Sequence, residues 1–240
     1  MWPGQGGSGP LGFGRYCCMA SGGCPTRRRC RPFAIAAAVC IAGAAFAACT
    51  GSGYSYVKSS STRTYFKLPD SWKVYSRQDL IDSAGADALP SGFKDEFPFF
   101  VLFDGSRSPS IRHNDFMAAT SPFGIARVRR LSADERDTFS QMSLRNEVVK
   151  IDELSQQADT SVEVIEPPKA IQLKNGVHGT KLVYTVRTSD GSSFSALQIG
   201  MTDASARRVW FLIIGCQVKC FSEHRRNIDD IAESWTIREK

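Results

Sequence analysis

Histidine is scarce in this 240-residue chain, which has three, at positions 113, 178 and 224. General bases and nitrogen ligands for metals are correspondingly few. No Gly-x-Ser-x-Gly elbow and no Gly-x-x-x-x-Gly-Lys cradle occurs, so a hydrolase of the first type and a nucleotide enzyme of the second have no basis in the sequence. Long apolar runs are also missing. The apolar core of the N-terminal part, Phe33–Ala45, falls well short of the ~20 residues that a resting transmembrane helix needs. Beyond position 48 cysteine is rare, occurring only at 49, 216 and 220.

What is present begins with Arg27, Arg28, Arg29 and Arg31, followed by the short apolar core and then by Phe46-Ala47-Ala48-Cys49. A positive start, a short apolar segment and small residues before a cleavage point describe an export signal. The last four residues resemble the lipobox of bacterial lipoproteins, with Phe46 where leucine is usual. That resemblance implies a diacylglyceryl thioether on Cys49, cleavage before it and often a third acyl chain, palmitate included, on the new amino group. Two chains suffice for stable anchoring. Plain secretion and an uncleaved anchor are the other readings. Residues 1–18, in a stretch with six glycines up to Met19, read as a disordered extension or a mis-set start, and residues 19–48 as the signal peptide.

Export changes the meaning of the charge. The chain has 30 Lys+Arg and 24 Asp+Glu, but five arginines and no acidic residue precede Cys49, leaving 25 against 24 and a net of +1. A nucleic-acid partner is not expected from such a balance. Arg127, Arg129 and Arg130 read as a solvent-facing strand edge. Cys216 and Cys220 are an even pair in an oxidising compartment, hence a disulfide candidate. Free thiols, and a metal set completed by His224, are the alternatives, and no metal or cofactor is expected.

Residues 49–59 are expected to form a short tether and 60–240 a single domain, a length that suits one core. Tyr65–Leu68 and Trp72–Tyr75 flank a Pro69-Asp70-Ser71 turn and read as an opening hairpin. Pro98–Phe103 is a dense apolar strand expected to be buried on both faces, and Gly124–Leu131 an alternating one. Ser106–Thr120 is polar and irregular, the best candidate for an exposed insertion. Ser132 and Glu135 have the spacing of a capping box, with Phe139 and Met142 expected on the buried side of the helix that follows. Asn175-Gly176 and Ser189-Asp190-Gly191 punctuate a meander of four strands ending at Ile214. Ser222 is expected to cap a last helix whose Ile228, Ile231, Ala232 and Trp235 form an apolar stripe. The reading is an α+β fold, one mostly antiparallel sheet covered by helices.

The segment Phe66-Lys67-Leu68-Pro69-Asp70-Ser71-Trp72 and the closing Ile228-x-x-Ile231-x-x-Ser234-Trp235 resemble the PsbP/Mog1-like fold, especially as found in small actinobacterial lipoproteins. The resemblance covers roughly residues 60–238 and implies α/β/α layering. It carries no partner-binding residue over to this chain, and the long 106–120 segment departs from the compact pattern.

The expected function is therefore a lipid-anchored, extracytoplasmic, non-enzymatic binding or accessory protein on the outer face of a cell membrane, whose partner is an envelope protein or a hydrophobic ligand. A carrier of lipid needs an apolar cavity between sheet and helix. A hydrolase needs a cleft that gathers His113 with carboxylates and a nucleophile. Arg112, His113 and Asp115 are the one polar loop cluster that suits the latter.

Overall fold

The computed structural model describes residues 53–84, 92–174 and 176–238. Cys49, the signal and Asn175 lie outside these residues.

Seven antiparallel strands form the main sheet, in the order β3-β4-β5-β9-β8-β7-β6. They are β3 (Lys73–Ser76), β4 (Phe99–Asp104), β5 (Phe123–Arg130), β6 (Thr160–Gln172), β7 (His178–Thr188), β8 (Ser193–Thr202) and β9 (Arg208–Gln217). The last four are the expected meander, and Gly176 takes the left-handed φ of 79° that its turn requires. A separate sheet of three strands, in the order β1-β2-β10, comprises β1 (Tyr54–Ser59), β2 (Thr64–Pro69) and β10 (Thr236–Ile237).

The central strands explain the layering. In β8 every residue from Phe194 to Thr202 is buried, and in β9 every residue from Val209 to Cys216. Alternate side chains point to opposite faces, so such a strand needs a cover on both. One face carries Val183, Leu197, Ile199, Trp210, Leu212 and Ile214 against the small sheet and α7 (Arg225–Ser234). The other carries Leu182, Tyr184, Phe194, Phe211 and Ile213 against Phe116, Val148, Ile151 and their neighbours.

Three expectations about neighbours are corrected by this arrangement. The two strands around Pro69 are not a hairpin: β2 pairs with β1 and β10, whereas β3 pairs with β4 in the other sheet. The turn is real, with the Trp72 N–H donating to the Pro69 carbonyl at 2.9 Å, but it is a corner between sheets. Trp72 closes that corner by lying on Gly105, where any Cβ would come within 2.6 Å of the indole. Secondly, part of the expected 49–59 tether is β1, in register with β2 from Tyr54 to Ser59. Thirdly, Arg127 and Arg129 are not at a solvent-facing edge, since β5 runs between β4 and β9. Their side chains are 16% and 15% exposed and share the Glu147 carboxylate. At the far edge of the sheet, β6 extends from Thr160 through Pro167 and Pro168, accommodated by register shifts.

The helices follow their caps. Ser132 and Glu135 make the reciprocal capping box at the start of α3 (Ala133–Thr138). A second box at Ser140 and Ser143 starts α4 (Gln141–Arg145), so the expected single helix is broken. Its phase changes with the break: Met142 is 62% exposed and Leu144 is buried. Between β9 and α7 the chain forms α6 (Val218–Glu223), with Ser222 inside it and not at a cap. The other short helices are α1 (Arg77–Ala84), α2 (Phe93–Glu96) and α5 (Ile151–Leu154).

Cys216 and Cys220 are joined in a disulfide that ties the end of β9 to α6. Free thiols and the zinc alternative are thereby displaced, and the His224 ring engages the Cys220 carbonyl at 3.0 Å. Among the described residues no group of three or more His, Cys, Asp or Glu is placed to hold a metal ion. The stripe on α7 is as expected, with Ile228 and Ile231 fully buried and Ala232 and Trp235 nearly so.

Burial of this kind sets the cost of truncation. Ile231→Ala is expected to lower the unfolding free energy by about 2–5 kcal/mol in a urea titration. Replacing Cys216 and Cys220 together by alanine is expected to cost only ~2 kcal/mol, the loop-entropy value for so short a ring.

Candidate functional site

Two clefts bear on function, one on each of two regions that the sequence singled out as loop or helix. The first lies where the 106–120 segment crosses the end of β4. Asp104, the last residue of that strand, is 3% exposed and is the anchor of the loop. Its Oδ1 accepts from the Ser106 N–H at 2.8 Å and its Oδ2 from the Ser110 N–H at 2.9 Å. The Nδ1 of His113 completes the set at 2.7 Å from Oδ2. Burial by itself raises this carboxyl; the Ser110 and Ser106 N–H groups and the His113 ring outweigh it, and the net position is below the usual aspartate range.

Around this pair is a cleft of about 170 Å³ whose lining includes Arg112, His113, Asp115, Ser106 and Ser121. The polar residues proposed from the sequence are thus brought together, with one addition that the sequence did not single out: Asp104. Asp104 is the first residue of an Asp-Gly turn signal at the end of an apolar strand, and nothing in its neighbours marks it as the residue His113 meets. Among the described residues no serine, threonine or cysteine is hydrogen-bonded to the His113 ring, whose side chain is 47% exposed. The arrangement orients an imidazole without an aligned nucleophile, so its demonstrable role is to hold the loop.

Most of the 106–120 segment is exposed and irregular, as expected, but it is tied down at its C-terminal part. Phe116 stacks on Phe123 at 4.3 Å and on Phe194 at 5.4 Å between centroids, and the Gln217 side chain donates to the Met117 carbonyl. The aromatic stretch 93–103 likewise packs inward. Phe97 is buried with Phe93 and Phe100 about it, and Phe103 lies between Phe66 and Trp72.

The second cleft, of about 320 Å³, opens between α4 and the β6–β8 strands. Leu182 and Thr180 of β7 with Gln198 and Gly200 of β8 make its floor; Met142, Leu144 and Arg145 form one wall, Pro168 and Ala170 the other. Gln198 fixes the wall by donating to the Leu144 and Arg145 carbonyls at 3.3 and 2.9 Å, which satisfies the end of α4. Arg145 is tied to Asp152, and Asp152 also accepts from Asn146 at 2.6 Å. The Arg145 Nε atom is buried and has no partner of its own. A mostly apolar lining with a few polar groups is what a small-molecule pocket requires. Sequence reasoning missed this site because its wall depends on the break between α3 and α4.

No protein-family model matches the chain, and no curated protein does. Among solved structures it is similar to the cyanobacterial PsbP of Synechocystis, at 14% identity and a TM-score of 0.49, over 80% of this chain and 99% of that one. It is also similar to the Ran-binding protein Mog1p of Saccharomyces cerevisiae, at 9% identity and a TM-score of 0.42, over 77% and 95%. A Pseudomonas aeruginosa protein of unknown function has 10% identity and a TM-score of 0.40, over 78% and 99%. These are distant likenesses of fold.

The Asp104 anchor has a defined pH signature. A depressed carboxyl contributes stability that is fully present above its unfolded value, near ~3.9, and is lost as pH falls through the lower folded value. Asp104→Asn is therefore expected to be less stable than the parent by about 1–3 kcal/mol at neutral pH. The difference should shrink in acid, as read from urea midpoints between pH 7 and pH 2.

Proposed function

We propose that the chain is a lipoprotein held by Cys49 on the outer face of a cell membrane, and that its domain serves as a binding or accessory module there. The observation that carries this reading is the Cys216–Cys220 disulfide. A pairing of this sort persists in oxidising compartments, and it uses both of the cysteines beyond position 49, leaving the thiol behind Phe46-Ala47-Ala48 as the one for acylation. Among the described residues no helix is long and apolar enough to cross a membrane, so attachment in this reading is through acyl chains.

The cleft beside α4 favours a second reading within the same setting, a carrier of a small hydrophobic ligand. Its volume of about 320 Å³ lies at the lower end of the range for drug-sized ligands. Leu182, Leu144, Met142 and Ala170 supply the apolar contact, and Thr180 adds a polar group at the floor.

Intact-mass analysis of protein taken from membranes is expected to show a chain beginning at Cys49 and carrying a diacylglyceryl thioether. Cys49→Ser is expected to abolish the acylated form. An unmodified sulfur with residues 40–48 still attached overturns the anchor. For the cleft, the probe 1-anilinonaphthalene-8-sulfonate is expected to bind the parent and to bind Ala170→Trp at least tenfold more weakly. Ala170 is exposed at the cleft rim, so this change should shift stability by less than ~0.5 kcal/mol.

A further inference from the structure

The small sheet has two unlike faces. Val57, Phe66, Leu68 and Ile237 point into the core. The outward positions of β1 and β2 are Tyr54, Tyr56, Lys58, Tyr65, Lys67 and Pro69, paired across the strands as Tyr54 with Pro69, Tyr56 with Lys67 and Lys58 with Tyr65. Thr236 of β10 continues that face beside Tyr65, and Arg238 follows it. Three tyrosines and three cations therefore share one surface, and none of its outward strand positions carries a carboxylate. At its edge Asp230 of α7 accepts from the Tyr54 hydroxyl at 3.4 Å.

The cations lie over the rings. Lys67 Nζ is 4.4 Å from the Tyr54 centroid and the Arg238 guanidinium 4.5 Å from that of Tyr65. Tyr56 is 71% exposed, the most exposed large hydrophobic side chain described. An aromatic body with a polar tip, flanked by long cationic side chains that carry their charge past an apolar stem, suits the boundary between lipid and water.

Position along the chain selects the occupant. Only five Cα–Cα steps separate Cys49 from Tyr54, so even a fully extended backbone spans no more than ~18 Å. We propose that the Tyr56 face of the small sheet docks onto the surface of an anionic lipid bilayer, with the tyrosine rings at headgroup depth and Lys58, Lys67 and Arg238 against the lipid phosphates. This deepens the anchored reading, because acyl chains on Cys49 would deliver that face to the membrane. The surface stands on its own charge pattern, and the two ideas fail separately.

The test uses the acylated protein in vesicles of phosphatidylcholine with or without 30% phosphatidylglycerol. Once Cys49 is acylated and the disulfide closed, Tyr56→Cys supplies a single thiol for a nitroxide label, and Glu163→Cys on β6 supplies a control. The label at 56 is expected to be shielded from a water-soluble nickel relaxant in the anionic vesicles and the label at 163 to stay accessible. Joint Lys58→Glu, Lys67→Glu and Arg238→Glu changes should return the label at 56 to water while the protein stays anchored. Equal accessibility at 56 and 163, or shielding that persists after charge reversal, overturns the proposal; the latter points to a second copy of this chain on that face. If the recovered chain carries no acyl group, the anchor fails and the surface is read by co-sedimentation alone. Each cation is worth roughly fivefold at an anionic surface, so a preference on the order of 100-fold for the phosphatidylglycerol vesicles, lost on charge reversal, is expected. No preference overturns the surface as well.

Discussion

The structure depends on one constraint: β8 and β9 are buried on both faces, so the sheet they centre must be covered twice. Nine consecutive residues of β8 and eight of β9 are removed from water. A strand buried at every position cannot leave one side to solvent, and the polar members of β8 find partners inside, Ser195 with Thr185 and Gln198 with the end of α4. The covering elements are placed by that demand. The small sheet and α7 close one face, while the 106–120 segment and the short helices between β5 and β6 close the other.

The two covers are built by different physics. On the α7 face the contact is apolar and continuous, with Ile228 and Ile231 set between β2 and the central strands and the disulfide fixing the path into α6. On the opposite face the covering chain is polar and irregular, and it is held by a few directed interactions. Asp104 gathers the N–H groups of Ser106 and Ser110 and the His113 ring. Arg127 and Arg129 reach from β5 to the Glu147 carboxylate, and Gln198 reaches from β8 to the end of α4. Such contacts hold loops where apolar area is small, and they leave room between α4 and β6 for the second cleft. Stability and the candidate binding site thus sit on one side of the sheet for the same reason.

Much of the domain was legible locally. The meander from β6 to β9 followed from turn chemistry at Gly176 and Gly191, the capping box at Ser132 from its spacing, and the α7 stripe from its period. The alternation around Pro69 was also read correctly, yet it placed both strands in one hairpin. Alternation tells which face a side chain takes and is silent on which strand lies beside it. Arg127 and Arg129 misled for a related reason: an arginine on a strand reads as solvent-facing until a partner such as Glu147 is known to fold over it. Met142 changed sides because Ser140 restarts the helix, and a break of two residues moves the apolar phase by half a turn.

What the amino-acid order determined unaided is the cysteine pair, the strands from Gly124 onward in outline, the capping box and the α7 stripe, because each is written in neighbours within a few residues. Tertiary structure alone decided that Asp104 meets His113, that β2 and β3 belong to different sheets, that Glu147 covers the arginines, and that three tyrosines and three cations share an outer face. Those are pairings between residues far apart in sequence or on adjacent strands, and they exist only once a doubly buried sheet has drawn its covers into place.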